Sequence, residues 1–180
     1  MSGVKEGEVT LVPYDSRWPR EFADERKRLE DKLGSAVITI EHIGSTAVQG
    51  LCAKPIIDIN VAIPSLDDAP QLIKPLQELG YEHASNQWFT DRFFFSKGTK
   101  GATTRHLNLA EITSETAWEA PILFRNYLVV HPEARDAYAT LKTELAAKYA
   151  NDRPRYTEAK SRFVLDILAK AKQETHENRP

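Results

Sequence analysis

The segment Ile56-Ile57-Asp58-Ile59-Asn60-Val61-Ala62-Ile63 limits what this chain can fold into more than any other. It is apolar on both faces apart from Asp58 and Asn60, the pattern of a strand in the middle of a sheet, covered on both sides. An unpaired carboxylate is costly to bury, so Asp58 needs a reason to stand there. A nearby metal ion or a phosphate-binding loop supplies one. Such a loop precedes the strand: Gly44-Ser45-Thr46-Ala47-Val48 follows a β-branched run, Val37 to Glu41, that reads as a second strand.

The rest of the chain arranges itself around this pair. Val9-Thr10-Leu11-Val12 reads as a short strand, broken by Pro13. Asp15 or Ser16 is placed to cap a helix beginning near Trp18-Pro19 and running to about Lys32, with Gly34 ending it. Trp18, Phe22, Leu29 and Leu33 form its apolar stripe, with the charged residues between them facing water. Ser65 caps a helix from Leu66 to Leu79, in which Pro75 predicts a kink or break. Tyr81 to His83, Arg92 to Ser96 and Arg105 to Ala110 read as strands. The turn Lys97-Gly98-Thr99-Lys100-Gly101 makes the last two a hairpin. From Ser114 the period becomes helical, predicting helices over about 115–129, 132–149 and 156–172, joined at His131-Pro132 and Asn151-Asp152-Arg153-Pro154. The helix over about 132–149 carries a stripe of Ala134, Tyr138, Leu141 and Leu145. Trp88, Trp118 and Phe93-Phe94-Phe95 read as core. Met1–Glu8 and Gln173–Pro180 read as frayed ends. The expectation is one α+β domain over 1–180: a mixed sheet with flanking helices over about 9–113, then a helical part over about 114–172.

Composition narrows the function classes. A net charge of -2 gives no electrostatic footprint for nucleic acid. No apolar run approaches the roughly 18–20 residues of a membrane span, and Met1–Glu8 lacks an apolar signal core. With Cys52 as the sole cysteine there is no internal disulfide. A cytoplasmic protein without membrane or nucleic-acid partners is expected, and Cys52 reads as a small loop or core residue.

A glycine after a strand lets backbone approach a phosphate closely. Ser45 and Thr46 add hydroxyls, and a helical turn opening there would aim its amides at the same anion. Asp58 is positioned to hold a Mg²⁺ that bridges phosphate oxygens, and Lys54 to neutralise phosphate charge. The same residues also allow a plain structural role, in which Asp58 caps a loop amide or pairs with Lys54 or Arg105. In the helical part, Tyr138 and Lys142 lie four residues apart, as do Tyr156 and Lys160, so each pair shares a helix face. Together with Arg125 they are candidates for a pocket that takes a base and a phosphate tail.

His42-Ile43-Gly44-Ser45-Thr46-Ala47-Val48, Gly50-Leu51 and Ala53-Lys54-Pro55-Ile56-Ile57-Asp58-Ile59 resemble the hallmark of the GrpB-like family, a branch of the nucleotidyltransferase superfamily found alone and as an extension of some bacterial dephospho-CoA kinases. Val12-Pro13-Tyr14-Asp15, Trp18-Pro19, Arg105-His106-Leu107, Phe124-Arg125-Asn126-Tyr127-Leu128 and Tyr156 with Lys160 and Phe163 extend the resemblance from about Val9 to about Ala171. Gln49 departs from it, standing where the family usually has proline. The resemblance implies a nucleotidyltransferase fold and a nucleotide or other phosphorylated small molecule as ligand. Active members of the superfamily transfer a nucleoside monophosphate from an NTP, with two or three carboxylates holding two Mg²⁺ ions. On that template Gly44, Ser45, Thr46, Lys54, Arg105, Tyr138, Lys142 and Lys160 are the nucleotide- or phosphate-binding candidates, Asp58 and His106 the catalytic ones, and Asp58 with Asn60 the ligands of a Mg²⁺ or Mn²⁺. Asn60 replaces the expected second carboxylate. His106 and Asn108 stand where a third would be; imidazole is a poor Mg²⁺ ligand, which leaves metal, base and phosphate contact open as roles for His106. The implied alternatives are transfer to a small acceptor, or a non-catalytic nucleotide-binding or accessory domain linked to coenzyme A metabolism.

Overall fold

The computed structural model describes residues 3–5, 7–84, 89–99 and 102–177. The apolar strand is central, as its composition demands. β3 (Ile57–Ile63) lies between β2 (Thr39–Ile43), which is antiparallel to it, and β6 (Ala102–Glu111), which is parallel. β5 (Phe93–Thr99) and β4 (Glu82–His83) continue the sheet in the order β2-β3-β6-β5-β4, and a short β1 (Val4–Lys5) pairs with β6. The sheet is mixed and the architecture α+β. Side chains alternate across a pleated strand, so β3 sends Ile57, Ile59, Val61 and Ile63 one way and Asp58 and Asn60 the other.

The apolar side packs against α1 (Trp18–Leu33) and α2 (Ala69–Glu78) in a core that joins Trp18, Leu29, Leu33, Leu72, Leu76, Phe95 and Leu107. Glu25 breaks the expected rule that charged residues of α1 face water. It is buried, accepting from Tyr81 Oη at 3.0 Å and Lys97 Nζ at 2.7 Å. The start of α1 also differs from expectation, because Arg17 is the capping residue and no side chain caps it. Asp15 acts one turn earlier, its carbonyl taking the Trp18 amide at 3.1 Å. Ser65 does cap, accepting from the Asp67 amide, but a 3-10 turn intervenes before α2. α2 then passes through Pro75 as one helix, held by buried Leu72 and Leu76 on either side of it.

Strand pairing differs from the sequence reading at the N-terminus. Val9 to Val12 forms no strand; Val12 makes a single bridge with Ala53, through hydrogen bonds of 2.9 and 3.0 Å, which ties the segment to the loop before β3. Val4, expected in a frayed end, is buried and paired with Thr103. Lys97 to Thr99, expected in the hairpin turn, continue β5; Lys100 and Gly101, like Trp88, lie outside the described residues.

The polar side of the sheet is covered by the second half of the chain. A π-helical turn (Glu115–Glu119) leads into α3 (Ala120–Val130) and α4 (Pro132–Lys148). The last expected helix is two, α5 (Arg153–Ala159) and α6 (Ser161–Glu177), and α6 runs beyond Gln173, where fraying was expected. Asp152 caps α5 by accepting from the Arg155 amide at 3.2 Å. Among the described residues no helix is long and apolar enough to cross a membrane.

Candidate functional site

Register assembles the site. Parallel pairing sets Asp58 beside His106, and antiparallel pairing sets Ile43, the residue before the glycine loop, beside Asp58. Gly44 has φ +70°, in the region that favours glycine, and a Cβ there would collide with the Asp58 carboxylate. The bare backbone therefore lets Asp58 reach the loop. Ser45–Ala47 forms a 3-10 turn, whose first amides have no partner within it.

A cavity of about 310 Å³ opens between this loop, the polar side of the sheet and helices α4 and α5. Gly44, Ser45, Thr46, Lys54, Asp58, His106, Tyr138, Lys142, Tyr156 and Lys160 all line it. Lys142 is buried; its Nζ donates to Ser45 Oγ at 3.0 Å and to the Cys52 carbonyl, clasping both ends of the loop. Its amine lies 4.8 Å from the Tyr138 ring centre, and that of Lys160 lies 4.2 Å from the Tyr156 ring. Thus the two Tyr/Lys pairs seen in the helical periodicity do face one pocket.

Arg153 is the site residue that sequence reasoning missed. It lies in the joint between helices, where Asn-Asp-Arg-Pro reads as punctuation. The structure makes it the first residue of α5 and brings a guanidinium nitrogen 3.1 Å from His106 Nε2. Arginine only donates, so Nε2 accepts and the ring proton sits on Nδ1. That proton is donated to Asp58 Oδ1 at 2.9 Å. The result is a chain Arg153–His106–Asp58. Phe94, expected in the core, lines the cavity instead, its ring 5.2 Å from that of His106.

Electrostatics follow from burial and crowding. Desolvation pushes Lys54, Lys142 and Lys160 down to about 8 each. Arg153 lowers Lys54 further, Lys54 lowers Lys142, and Lys54, Lys142 and Arg153 all lower Lys160. Burial alone would raise Asp58, but the His106 hydrogen bond and the charge of Lys54 hold it below the usual carboxylate range. Burial takes His42 to about 4. Its ring stacks on Phe22 at 4.7 Å, and Nε2 lies 3.0 Å from Thr46 Oγ1.

Four expected site residues have their side chains engaged elsewhere. Arg105 points to the other side of the sheet, where its Nε is 3.4 Å from Glu25, because neighbours on a strand face opposite ways. The Thr46 hydroxyl is spent on the Ile56 carbonyl at 3.2 Å, so it holds the loop rather than offering a donor to the cavity. Asn60 is fully buried and away from the cavity lining; its Nδ2 donates to the Ala117 carbonyl at 2.9 Å. Its Nδ2 pins the helical half to the sheet, while its buried Oδ1 has no hydrogen-bond partner. Arg125 is likewise tied elsewhere, to Glu41 at 2.7 Å and the His42 carbonyl at 2.6 Å.

A two-metal site needs several oxygen donors at one place. Among the described residues Asp58 is the lone acidic side chain in the cavity lining, and one of its oxygens already accepts from His106. Among the described residues no three His, Cys, Asp or Glu side chains gather as a metal cluster would require. The donor set does not fit a pair of divalent ions.

A mixed sheet with a glycine-serine loop feeding a strand that carries one carboxylate, backed by helices, is a nucleotidyltransferase-like fold. The same architecture is found in the Cid1 poly(U) polymerase crystal structure, with a TM-score of 0.51 at 15% identity over 76% of this chain and 43% of that one. The chain belongs to the GrpB family, whose model, described as GrpB protein, matches residues 8–170. It is 40% identical to the glutamate-rich protein GrpB of Alkalihalophilus pseudofirmus, covering 93% of this chain and 98% of that one. The crystal structure of the conserved protein GrpB from Enterococcus faecalis superposes with a TM-score of 0.85 at 28% identity, over 92% of this chain and 99% of that one. A dephospho-CoA kinase of Mycobacterium bovis is 28% identical over 89% of this chain, which spans 45% of that protein.

Proposed function

We propose that this protein binds a nucleotide or closely related phosphorylated small molecule in the cavity between sheet and helical half. One observation carries the reading: Lys54, Lys142, Arg153 and Lys160 converge on a space that holds a single carboxylate. An anion there offsets the burial and mutual repulsion that depress the lysines, and the tyrosine and phenylalanine rings around it suit a base or other planar group. Calorimetric titration with the common nucleoside triphosphates tests it, with dephospho-CoA added because a kinase of that name shares the matched region. Saturable binding is expected in the wild type and its loss in a Lys142→Met/Lys160→Met variant. No heat and no melting shift with any of these compounds removes the proposal.

A second reading, transfer of a nucleotidyl group to a small acceptor, draws on the Asp58–His106 pair. Asp58 fixes the tautomer that leaves the Nε2 lone pair toward Arg153 and the cavity. With Arg153 drawn to a phosphate, Nε2 would take the proton of an acceptor hydroxyl as its oxygen attacks the α-phosphorus and pyrophosphate departs. Radiolabelled NTP turnover in the wild type, Asp58→Ala and His106→Ala decides it: equal turnover in all three, or none in any, rejects transfer.

A further inference from the structure

We propose that the cavity takes the di- or triphosphate of its ligand as the free anion, without a divalent cation, with Lys54, Lys142, Arg153 and Lys160 supplying the positive charge that metal ions would otherwise bring. This rests on the reading that the cavity holds a phosphorylated ligand, and adds the ionic form in which that ligand arrives.

The first argument is the donor inventory. A Mg²⁺ ion that bridges phosphates is held by one or two protein carboxylates, and a two-ion site needs more of them. Here Asp58 gives one oxygen to His106 Nδ1 at 2.9 Å, and Asn60 turns its amide to Ala117. Four cationic side chains face that one carboxylate across the same cavity. A metal ion would meet net repulsion, whereas a polyphosphate would meet net attraction.

The second argument is placement. Lys142 reaches the Gly44-Ser45 loop itself, at 3.0 Å from Ser45 Oγ, where the loop's backbone would hold a phosphate. Arg153 presents a planar fork, one arm of which rests on His106, and it forms no ion pair among the described residues. The amines of Lys142 and Lys160 sit over tyrosine rings, which keeps them extended into the cavity without a counter-ion. Burial lowers both amines to about 8, and neighbouring cations add to this; an anion bound beside them would restore the protonated forms.

The sign of one substitution separates the two kinds of site. At a metal-bridged site Asp58 attracts the ligand through the ion; at a cationic site it repels it. Calorimetry on the full chain with ATP and with inorganic tripolyphosphate, in excess EDTA and in excess Mg²⁺, is the test. Binding in EDTA should be at least as tight as in Mg²⁺, and a folded Asp58→Asn should bind roughly tenfold tighter in EDTA. Binding that requires Mg²⁺ overturns the inference while leaving the phosphate-ligand reading intact. Weaker binding by folded Asp58→Asn in EDTA also overturns it. Absence of binding in both buffers with both probes removes the inference together with the reading beneath it.

Discussion

Lys54, Lys142 and Lys160 each titrate near 8 in the folded protein against a usual 10.5. Between these values the unfolded chain holds protons that the folded one has released, so stability of the unliganded protein rises with pH across that window. An anion favours the protonated amines, so ligand affinity falls as pH climbs through about 8. Melting curves from pH 7 to 10, with and without ATP, should therefore converge, and calorimetry near pH 8 in buffers of different ionisation heat should show proton uptake on binding. His42 acts at the other end. Burial holds it at about 4 against 6.5, so acidification through that range charges it first in the unfolded chain, and stability falls from pH 6.5 down to 4. Mutating His42→Phe, which keeps the stack on Phe22, should flatten that part of the profile. On the opposite side of the sheet, Glu25 is 2% exposed between Lys97 and Arg105. Glu25→Gln leaves those cations without their anion and should cost about 3 kcal/mol in urea unfolding.

Elements with a strong period were legible in the sequence and those defined by pairing were not. β3 announced its central place by being apolar on both faces, and α4 by its stripe. By contrast, β1 is two residues long and exists only because β6 extends far enough to receive it. Val12 was read as part of a strand although it makes one bridge, because propensity says nothing about whether a partner edge is available. Within the site, Gly44, Ser45, Asp58, Lys142 and Lys160 were legible from spacing, since loop, strand and i,i+4 relations are local. Arg105 was misplaced by a single position: once His106 faces the cavity, period two sends Arg105 away. Arg153 left no local signal, its approach to His106 being a contact across 47 residues. Asn60 shows the same limit at the level of an element. Read from the sequence only as a weakened metal ligand, it is also, through Nδ2, the peg on which the π-helical turn hangs. Restoring a carboxylate with Asn60→Asp would set an anion against the Ala117 and Trp118 carbonyls; we expect a loss of about 2–3 kcal/mol and no gain in NTP turnover, measured by denaturant titration beside the radiolabel assay.

As a whole molecule, the protein is two halves closed over one cavity. Gly44, Ser45, Lys54, Asp58 and His106 come from the sheet half; Tyr138, Lys142, Arg153 and Lys160 come from the helical half. Ligand that touches both halves stabilises the pair as a unit. At a free concentration a hundredfold above Kd the gain is about 2.7 kcal/mol. Hydrogen exchange should show the protection spread over residues 44–58 and 138–160 together. Protection confined to one of these stretches would contradict a site shared between the halves. The split origin of the cavity also orders events in time. A growing chain whose first 114 residues have left the ribosome already carries the glycine loop, the carboxylate and the imidazole. It carries just one of the four cavity cations, Lys54. The other three emerge later, and Lys142 must then find the loop that has waited for it. If the cavity takes an anionic ligand as proposed, a nascent chain could not hold it before the helices carrying Lys142, Arg153 and Lys160 are made.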